Sequence, residues 1–429
     1  MKKRKPLTDD EGEVRELMSA DLNDFRAARD ILSPSLVQKL TFRGRAEQET
    51  PTKLRITIRL SRDVVEKFRS TGEGWQTRLD ELVGHENAER ELRRLIEAGR
   101  LPHAILLSGP RGIGKATLAF RLARFLLAGP EDLPPERFGE TEKGELAIDP
   151  ESSLFRRVAS GGHADLLTVE RAYDPRRRRL RSEIIVEDTR AIAGFFRLTA
   201  AEEGWRIAIV DGAEEMNRNA ANALLKILEE PPWRGVLLLV SHSPGRLLPT
   251  IRSRCRHFPL AALGRPLVLQ LLGQYRPGLP RSEGEALAGL AEGSVGRAIE
   301  LADAGGLALY RSILGMLAQV PRLDLGELHA FADKLARSEA EDAYRACQEL
   351  LSQFIAKTAL CAAGRPFEPD ELVDGEGEVT QRLAARADPA RWADLRDRLG
   401  RDFANTDQLN LDRKQAVLGA FFAVEEMAR

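Results

Sequence analysis

Cysteine is scarce: three residues in 429, Cys255, Cys347 and Cys361, with no C-x-x-C pair. That excludes a cysteine-built zinc site and a disulfide scaffold, and it fits a reducing cytoplasm. With no histidine partner placed beside it by any motif, Cys255 reads as a small packing residue rather than a nucleophile. Neither sign of charge is in excess. Lys and Arg number 65 against 66 Asp and Glu, for a net charge of −1. This argues against bulk, nonspecific affinity for nucleic acid while leaving room for a local basic surface. Long apolar runs are also missing. The stretch VLLLV at 236–240 is far short of the ~20 residues that a membrane span needs. The N-terminal MKKRKPLTDDEGE runs from bases straight into acids with no apolar region behind it, unlike a signal peptide. A cytoplasmic protein without membrane partners is expected. Internal repeats are not apparent.

What is there is an ordinary globular composition, 43% hydrophobic and 31% charged over 429 residues, enough for two to four domains of roughly 100–200 residues. Residues 1–53 are charged, with short apolar clusters, and read as a weakly helical or disordered extension. In 54–60, LRITIRL, Leu54, Ile56, Ile58 and Leu60 alternate with Arg55, Thr57 and Arg59, the period of a half-buried strand. A helix SRDVVEKFRS follows, then TGEGWQTRLDEL. From residue 83 helix and strand alternate: GHENAERELRRLIEAG, AILLSG, a glycine loop and KATLAFRLARFLLAG. That is the order of a βα mononucleotide-binding unit. An insert at 129–162 shows no periodicity. DLLTVERAYD and RSEIIVED read as two short β patterns around a basic tip, with TRAIAGFFRLTA as a helix. The strand WRIAIVD, the helix AANALLKILEE and the strand GVLLLVS complete an α/β domain over 83–262. A helical lid is expected over 263–305 and a larger helical domain over 306–429.

The loop SGPRGIGKATLAF carries the chemistry. Gly109, Gly112, Gly114 and Lys115 fit G-x-x-x-x-G-K, but Ala116 stands where a Ser or Thr should follow. In a working loop the backbone amides cradle phosphates, the Lys reaches the terminal ones and the hydroxyl binds Mg²⁺. Thr117 lies about 100° further round the helix and cannot simply substitute. The second half of such a site is a hydrophobic strand ending in a metal-binding acid and a water-orienting one. Here Arg206-Ile207-Ala208-Ile209-Val210 ends in Asp211 and is followed by Gly212. Glu214 and Glu215 come later, where a solvated first-turn role is the default. ATP and Mg²⁺ are therefore candidate ligands without hydrolysis, and no zinc is expected. The run Pro175 to Arg181, PRRRRLR, reads as a solvated hairpin tip.

The segment NALLKILEEPP, after DGAEEMNRNAA and before PTIRSRC, resembles the bacterial DNA polymerase III clamp-loader family over about 83–429. GGHADLLTVER, FFRLTAAEEGWRIAIVDGAEEMN and SHSPGRLLPTIRSRC are similar to its non-hydrolysing delta-prime branch, of the alphaproteobacterial type. The resemblance implies an α/β RecA-like AAA+ P-loop domain, a small helical lid and an all-α collar. It implies a pentameric ring with tau/gamma and delta subunits, acting on a sliding clamp and primer-template DNA. It also implies that Arg254, of the SRC motif, is an arginine finger for a neighbouring ATPase, and that Arg297, in GSVGR, stands one place beyond the Arg of the active sensor pattern G-S-x-R. An active ATPase that tolerates Ala116 is the alternative.

Residues 1–82 fall outside that resemblance. KRKPLTDDEGEVREL and LRITIRLSRDVVEKFRSTGEGWQTRL resemble a BrnA-type antitoxin of the ribbon-helix-helix class. That likeness implies base contacts from Arg55, Thr57 and Arg59, with Gly74 to Arg78 opening a second helix. The second helix is cut short, because GHENAERELRRL is needed by the following domain. A bifunctional protein, an appended strand–helix without DNA and a joining of two reading frames all remain open.

Overall fold

A computed structural model describes residues 82–129, 132, 146–149, 152–159, 161–174, 179–198, 204–365 and 371–429. The strand expected at 54–60, with Arg55, Thr57 and Arg59, and the centre of the basic tip at 175–178 lie outside the described residues.

The chain enters through α1 (Glu86–Glu97) and then β1 (Ala104–Ser108), the glycine loop and α2 (Lys115–Leu127). After α3 (Ser153–Ala159) come β2 (Leu166–Val169), a hairpin of β3 (Tyr173–Asp174) and β4 (Arg179–Leu180), and α4 (Val186–Arg197). Next are β5 (Arg206–Asp211), α5 (Arg218–Glu229), β6 (Gly235–Ser241), the short α6 (Pro249–Arg252) and β7 (Arg256–Pro259). The five-stranded sheet has the order β2-β5-β6-β1-β7, and every pairing is parallel.

Three central strands are buried along their whole length, as expected when helices cover both faces of a parallel sheet. Alternate residues divide between the faces. Ile105, Leu107, Ile207, Ile209, Leu238 and Val240 join α1 and α2 in one core. Leu106, Ala208, Val210, Leu237 and Leu239 join α4 and α5 in the other. The edge strand β7 buries only Phe258 in its inward pattern. That near-absence of alternation is why RHFP was not foreseen as a strand.

Two other expectations need correction. The insert at 129–162 holds α3, whose seven residues are too few to show a period. RSEIIVED does not form a strand: Ile184 makes one bridge to Met216 and the helix begins at Val186. Asp188 explains the switch, because its Oδ2 accepts the Ile185 amide at 3.0 Å and caps the helix start.

Beyond residue 263 every element among the described residues is helical: α7 (Arg265–Tyr275), α8 (Arg281–Leu290), α9 (Val295–Asp303) and α10 (Gly306–Gln319), then α11 (Leu325–Leu335) and α12 (Glu341–Ala362). The last three are α13 (Glu376–Ala384), α14 (Pro389–Leu409) and α15 (Arg413–Ala428). One apolar core runs through them from Leu263 to Ala428. No described helix is long and apolar enough to cross a membrane.

Within that core Glu376 is fully buried and accepts three hydrogen bonds: from Tyr310 Oη at 2.6 Å, Lys357 Nζ at 2.7 Å and the Leu372 amide at 3.0 Å. Removing the carboxylate strands all three donors, and breaking a buried charged pair costs about 3–5 kcal/mol. Glu376→Ala should lower the unfolding free energy by that amount, read from urea denaturation with an unchanged m-value.

Candidate functional site

The site lies at the carboxyl ends of β1, β5 and β6, where open α/β sheets bind ligands. Leaving β1, the chain turns through Gly109, Gly112 and Gly114, at φ of 146°, 74° and 101°. Helix α2 then begins at Lys115 with no side-chain cap and no acid in its first turn. Its amides point into the loop with the positive end of the helix dipole behind them. From the other side His85 donates from Nε2 to the Ile113 carbonyl at 2.7 Å and steadies the loop.

Lys115 is 3% exposed, and its Nζ donates to the carbonyl of Pro110 in the same loop. Burial pulls its ammonium down from the ordinary 10.5 to about 8, opposed by Asp211 and Glu214 and assisted by Arg111. Asp211, at the end of β5, is buried beside it. Glu214 corrects the expectation of a solvated acid. Its side chain is 7% exposed, and its Oε1 accepts the His242 amide at 2.9 Å from the end of β6. The left-handed Gly212 (φ 73°) starts a single tight turn that folds Glu214 back over the strand ends; counting residues along a regular helix could not reveal this. Glu215 turns away to Arg171, at 2.9 Å. Ala116 and Thr117 are half-buried on the first turn of α2, and Ala116 has no oxygen to offer a metal.

The lid closes on the loop through backbone. The Gly296 amide donates to the Gly112 carbonyl at 2.9 Å. A Cβ on Gly296 would lie 2.9 Å from the Gly112 Cα, and one on Gly112 would lie 2.4 Å from Ser294 Oγ. The glycine that interrupts the sensor pattern therefore sits on the phosphate loop itself. Arg297, the next residue, does not turn to the loop. Its guanidinium reaches Glu292 at 3.0 Å, Gln353 at 3.1 Å and Glu349 at 3.4 Å, so it ties α9 to α12. Arg111 adds an exposed bridge from the loop to Glu300 of α9 at 3.2 Å. A metal–nucleotide does not fit this arrangement well: the metal hydroxyl is gone, the lysine is engaged with the loop, and the loop apex is in contact with the lid.

Arg254 stands apart from these groups, in the turn between α6 and β7. Its NH2 meets Glu229 Oε1 at 2.9 Å and its NH1 donates to the Thr250 carbonyl at 3.1 Å. The adjoining Cys255 packs against the α5 side of the sheet, and burial raises its thiol to about 12, far from a nucleophile. Among the described residues no cluster of His, Cys, Asp and Glu could hold a metal ion.

Parallel strand order, glycine loop and apposed helical lid define a RecA-like AAA+ module. Residues 84–264 match the family model described as DNA polymerase III, delta subunit, and residues 13–84 match that of the BrnA antitoxin of type II toxin-antitoxin systems. The chain is 39% identical over 194 residues to DNA polymerase III subunit delta-prime of Pseudomonas aeruginosa, covering 45% of this chain and 53% of that one. It is 34% identical over 185 residues to subunit gamma/tau of Mycobacterium tuberculosis, covering 43% and 28%. With subunit tau of Escherichia coli K12 the identity is 31% over 228 residues, covering 52% and 32%. The chain thus spans about half of the delta-prime relative and about a third or less of the others. A gamma subunit-related protein of Thermotoga maritima aligns over 80% of this chain and 99% of its own, at 20% identity and a TM-score of 0.37. The likeness to DNA polymerase III subunits read from ALLKILEEPP and SRC is borne out, as is the antitoxin likeness of the N-terminal segment.

Lys115 offers a direct measurement of the loop. In a carbon-13 NMR titration of the lysine side chains, one resonance should move with a midpoint near pH 8 and vanish in Lys115→Arg. Adding ATP should leave that midpoint in place. A bound triphosphate would instead return it toward 10.5 by favouring the charged form.

Proposed function

We propose that this chain is a delta-prime-type subunit of a bacterial DNA polymerase III clamp loader. On this reading it is a non-hydrolysing AAA+ module that completes a pentameric ring with tau/gamma and delta subunits. It lends Arg254 to a neighbouring ATPase while a sliding clamp is loaded on primer-template DNA. Residues 83–262 form the AAA+ domain, 263–305 its lid and 306–429 the collar.

The observation that carries the non-hydrolysing reading is the loop, which satisfies its own groups. Lys115 bonds the Pro110 carbonyl, Ala116 presents no metal ligand, and Gly296 rests on Gly112. Phosphoryl transfer depends almost entirely on positioned charge and metal, so a module lacking these contributes to its neighbour instead. A guanidinium suits that task. It is permanently charged, it forks onto phosphate oxygens, and it has more N–H donors than Glu229 and Thr250 use. Arg254 should leave assembly intact when changed to Ala and abolish the clamp-stimulated turnover of the one site it serves. ATPase assays on the reconstituted loader read this directly, and unchanged turnover removes the finger role.

Glu214 supports a second reading, an active ATPase, because it sets a second carboxylate beside Lys115. ATP turnover by the purified chain alone, lost in Lys115→Ala, would establish it; the first reading expects none.

The antitoxin match supports a further DNA-binding role for the N-terminal segment through Arg55, Thr57 and Arg59. That role predicts binding to a short palindrome that weakens steeply with salt and disappears in the Arg55→Ala, Arg59→Ala double variant. Fluorescence anisotropy of the full chain with labelled duplex tests it.

A further inference from the structure

The two motifs that carry the family likeness, LEEPP and SRC, lie on opposite sides of β6 in sequence, yet they meet. Glu229 is the last residue of α5, which Pro231 and Pro232 prevent from continuing. Arg254 follows α6, a single turn that begins at Pro249. The strand between them is buried from Gly235 to Ser241, so neither end can drift. Glu229 and the carboxyl end of the α5 dipole together make this corner negative, a place that favours a cation.

Stability does not explain the Glu229–Arg254 pair. Its side chains are 53% and 37% exposed, and exposed pairs contribute only about 0–1 kcal/mol. Its geometry does more. An ion pair with Glu229 Oε1 at 2.9 Å and one hydrogen bond, from NH1 to the Thr250 carbonyl at 3.1 Å, restrain the guanidinium from two sides. A free arginine would have to lose side-chain freedom each time it engaged a phosphate; this one has lost part of it already.

We infer that Glu229 is the positioning residue of Arg254: its carboxylate holds the guanidinium in the orientation that meets a γ-phosphate across a subunit interface. This rests on the finger reading of Arg254. The carboxylate touches no substrate and acts only through the arginine.

The test uses the full loader reconstituted with its gamma/tau-type ATPase subunits, measuring kcat and KM for ATP with clamp and primed DNA, and assembly by size-exclusion chromatography. Glu229→Ala should lower the Arg254-dependent kcat by up to about fivefold, the equivalent of the ~1 kcal/mol that an exposed pair can supply, with KM and assembly unchanged. Glu229→Gln keeps the length of the side chain but not its charge and should not recover the loss, because the contact is an ion pair. Glu229→Asp, which withdraws the carboxylate by one methylene, should not recover it either. Glu230→Gln removes the same charge one residue along and should behave as wild type. In an Arg254→Ala background Glu229→Ala should have no further effect. Wild-type or raised turnover in Glu229→Ala, beside a clear loss in Arg254→Ala, overturns the positioning role and leaves the finger standing. A Glu229→Ala loss that persists without Arg254 overturns it too. No loss in Arg254→Ala takes down the finger reading itself.

Discussion

The helical half of the molecule is joined to the phosphate loop by a contact that no side chain could share. At Gly112 and Gly296 two backbones touch, one amide donates to one carbonyl, and a methyl group on either residue would collide. Glycine usually weakens a helix because it is free in the unfolded chain. Here its missing Cβ lets α9 start against the loop, with Ser294 accepting the Arg297 amide at 3.0 Å as its cap. Arg297, on the first turn of α9, reaches Gln353 on α12, beside the core that runs from Leu263 to Ala428.

The sheet was legible because period and burial agree in it. AILLS, RIAIVD and GVLLLVS are apolar runs with β-branched and aliphatic residues, and each became a strand buried throughout. The amphipathic helices read equally well, since α2 and α5 begin and end within a few residues of the expected positions. Edge strand and short helix were missed for one reason: RHFP and SLFRRVA are too short or too exposed for a pattern. The site was legible by type and not by direction. Lys115, Asp211 and Arg254 were named from motifs. Glu214 is read as solvated because its approach depends on one left-handed glycine, and the direction of Arg297 is not legible because two of its three partners, Glu349 and Gln353, lie more than fifty residues further along the chain. Local patterns report periodicity; they do not report a turn that reverses a side chain, or a long-range acceptor.

The buried cations follow different rules from the exposed one. Arg121 is paired with Glu89 at 2.7 Å, with side chains 5% and 2% exposed, and Arg206 lies over the Phe195 ring at 4.2 Å beside Asp165. These guanidiniums are fixed by the surfaces they help to close. Lys115 is buried with only a carbonyl as its close acceptor, and it compensates by holding its proton less tightly. Arg254 alone among these four combines orientation with access. Its partners hold it without covering it.

That contrast ties the exposed guanidinium to the sheet beneath the glycine loop. Arg254 lies in the connection from β6 to β7, and both strands pair in parallel with β1, the strand that feeds the glycine loop. Glu229, in turn, is set by the end of α5, a helix capped at its start by Asn217 just beyond Asp211. Arginine and carboxylate therefore take their coordinates from the same strands that would have served a nucleotide. Loosening the sheet to relax the loop would move the guanidinium as well. Proteins pack densely enough for such shifts to travel. On the proposed reading, a constraint on the outward-facing charge also bears on the inward-facing loop, because both rest on these strands.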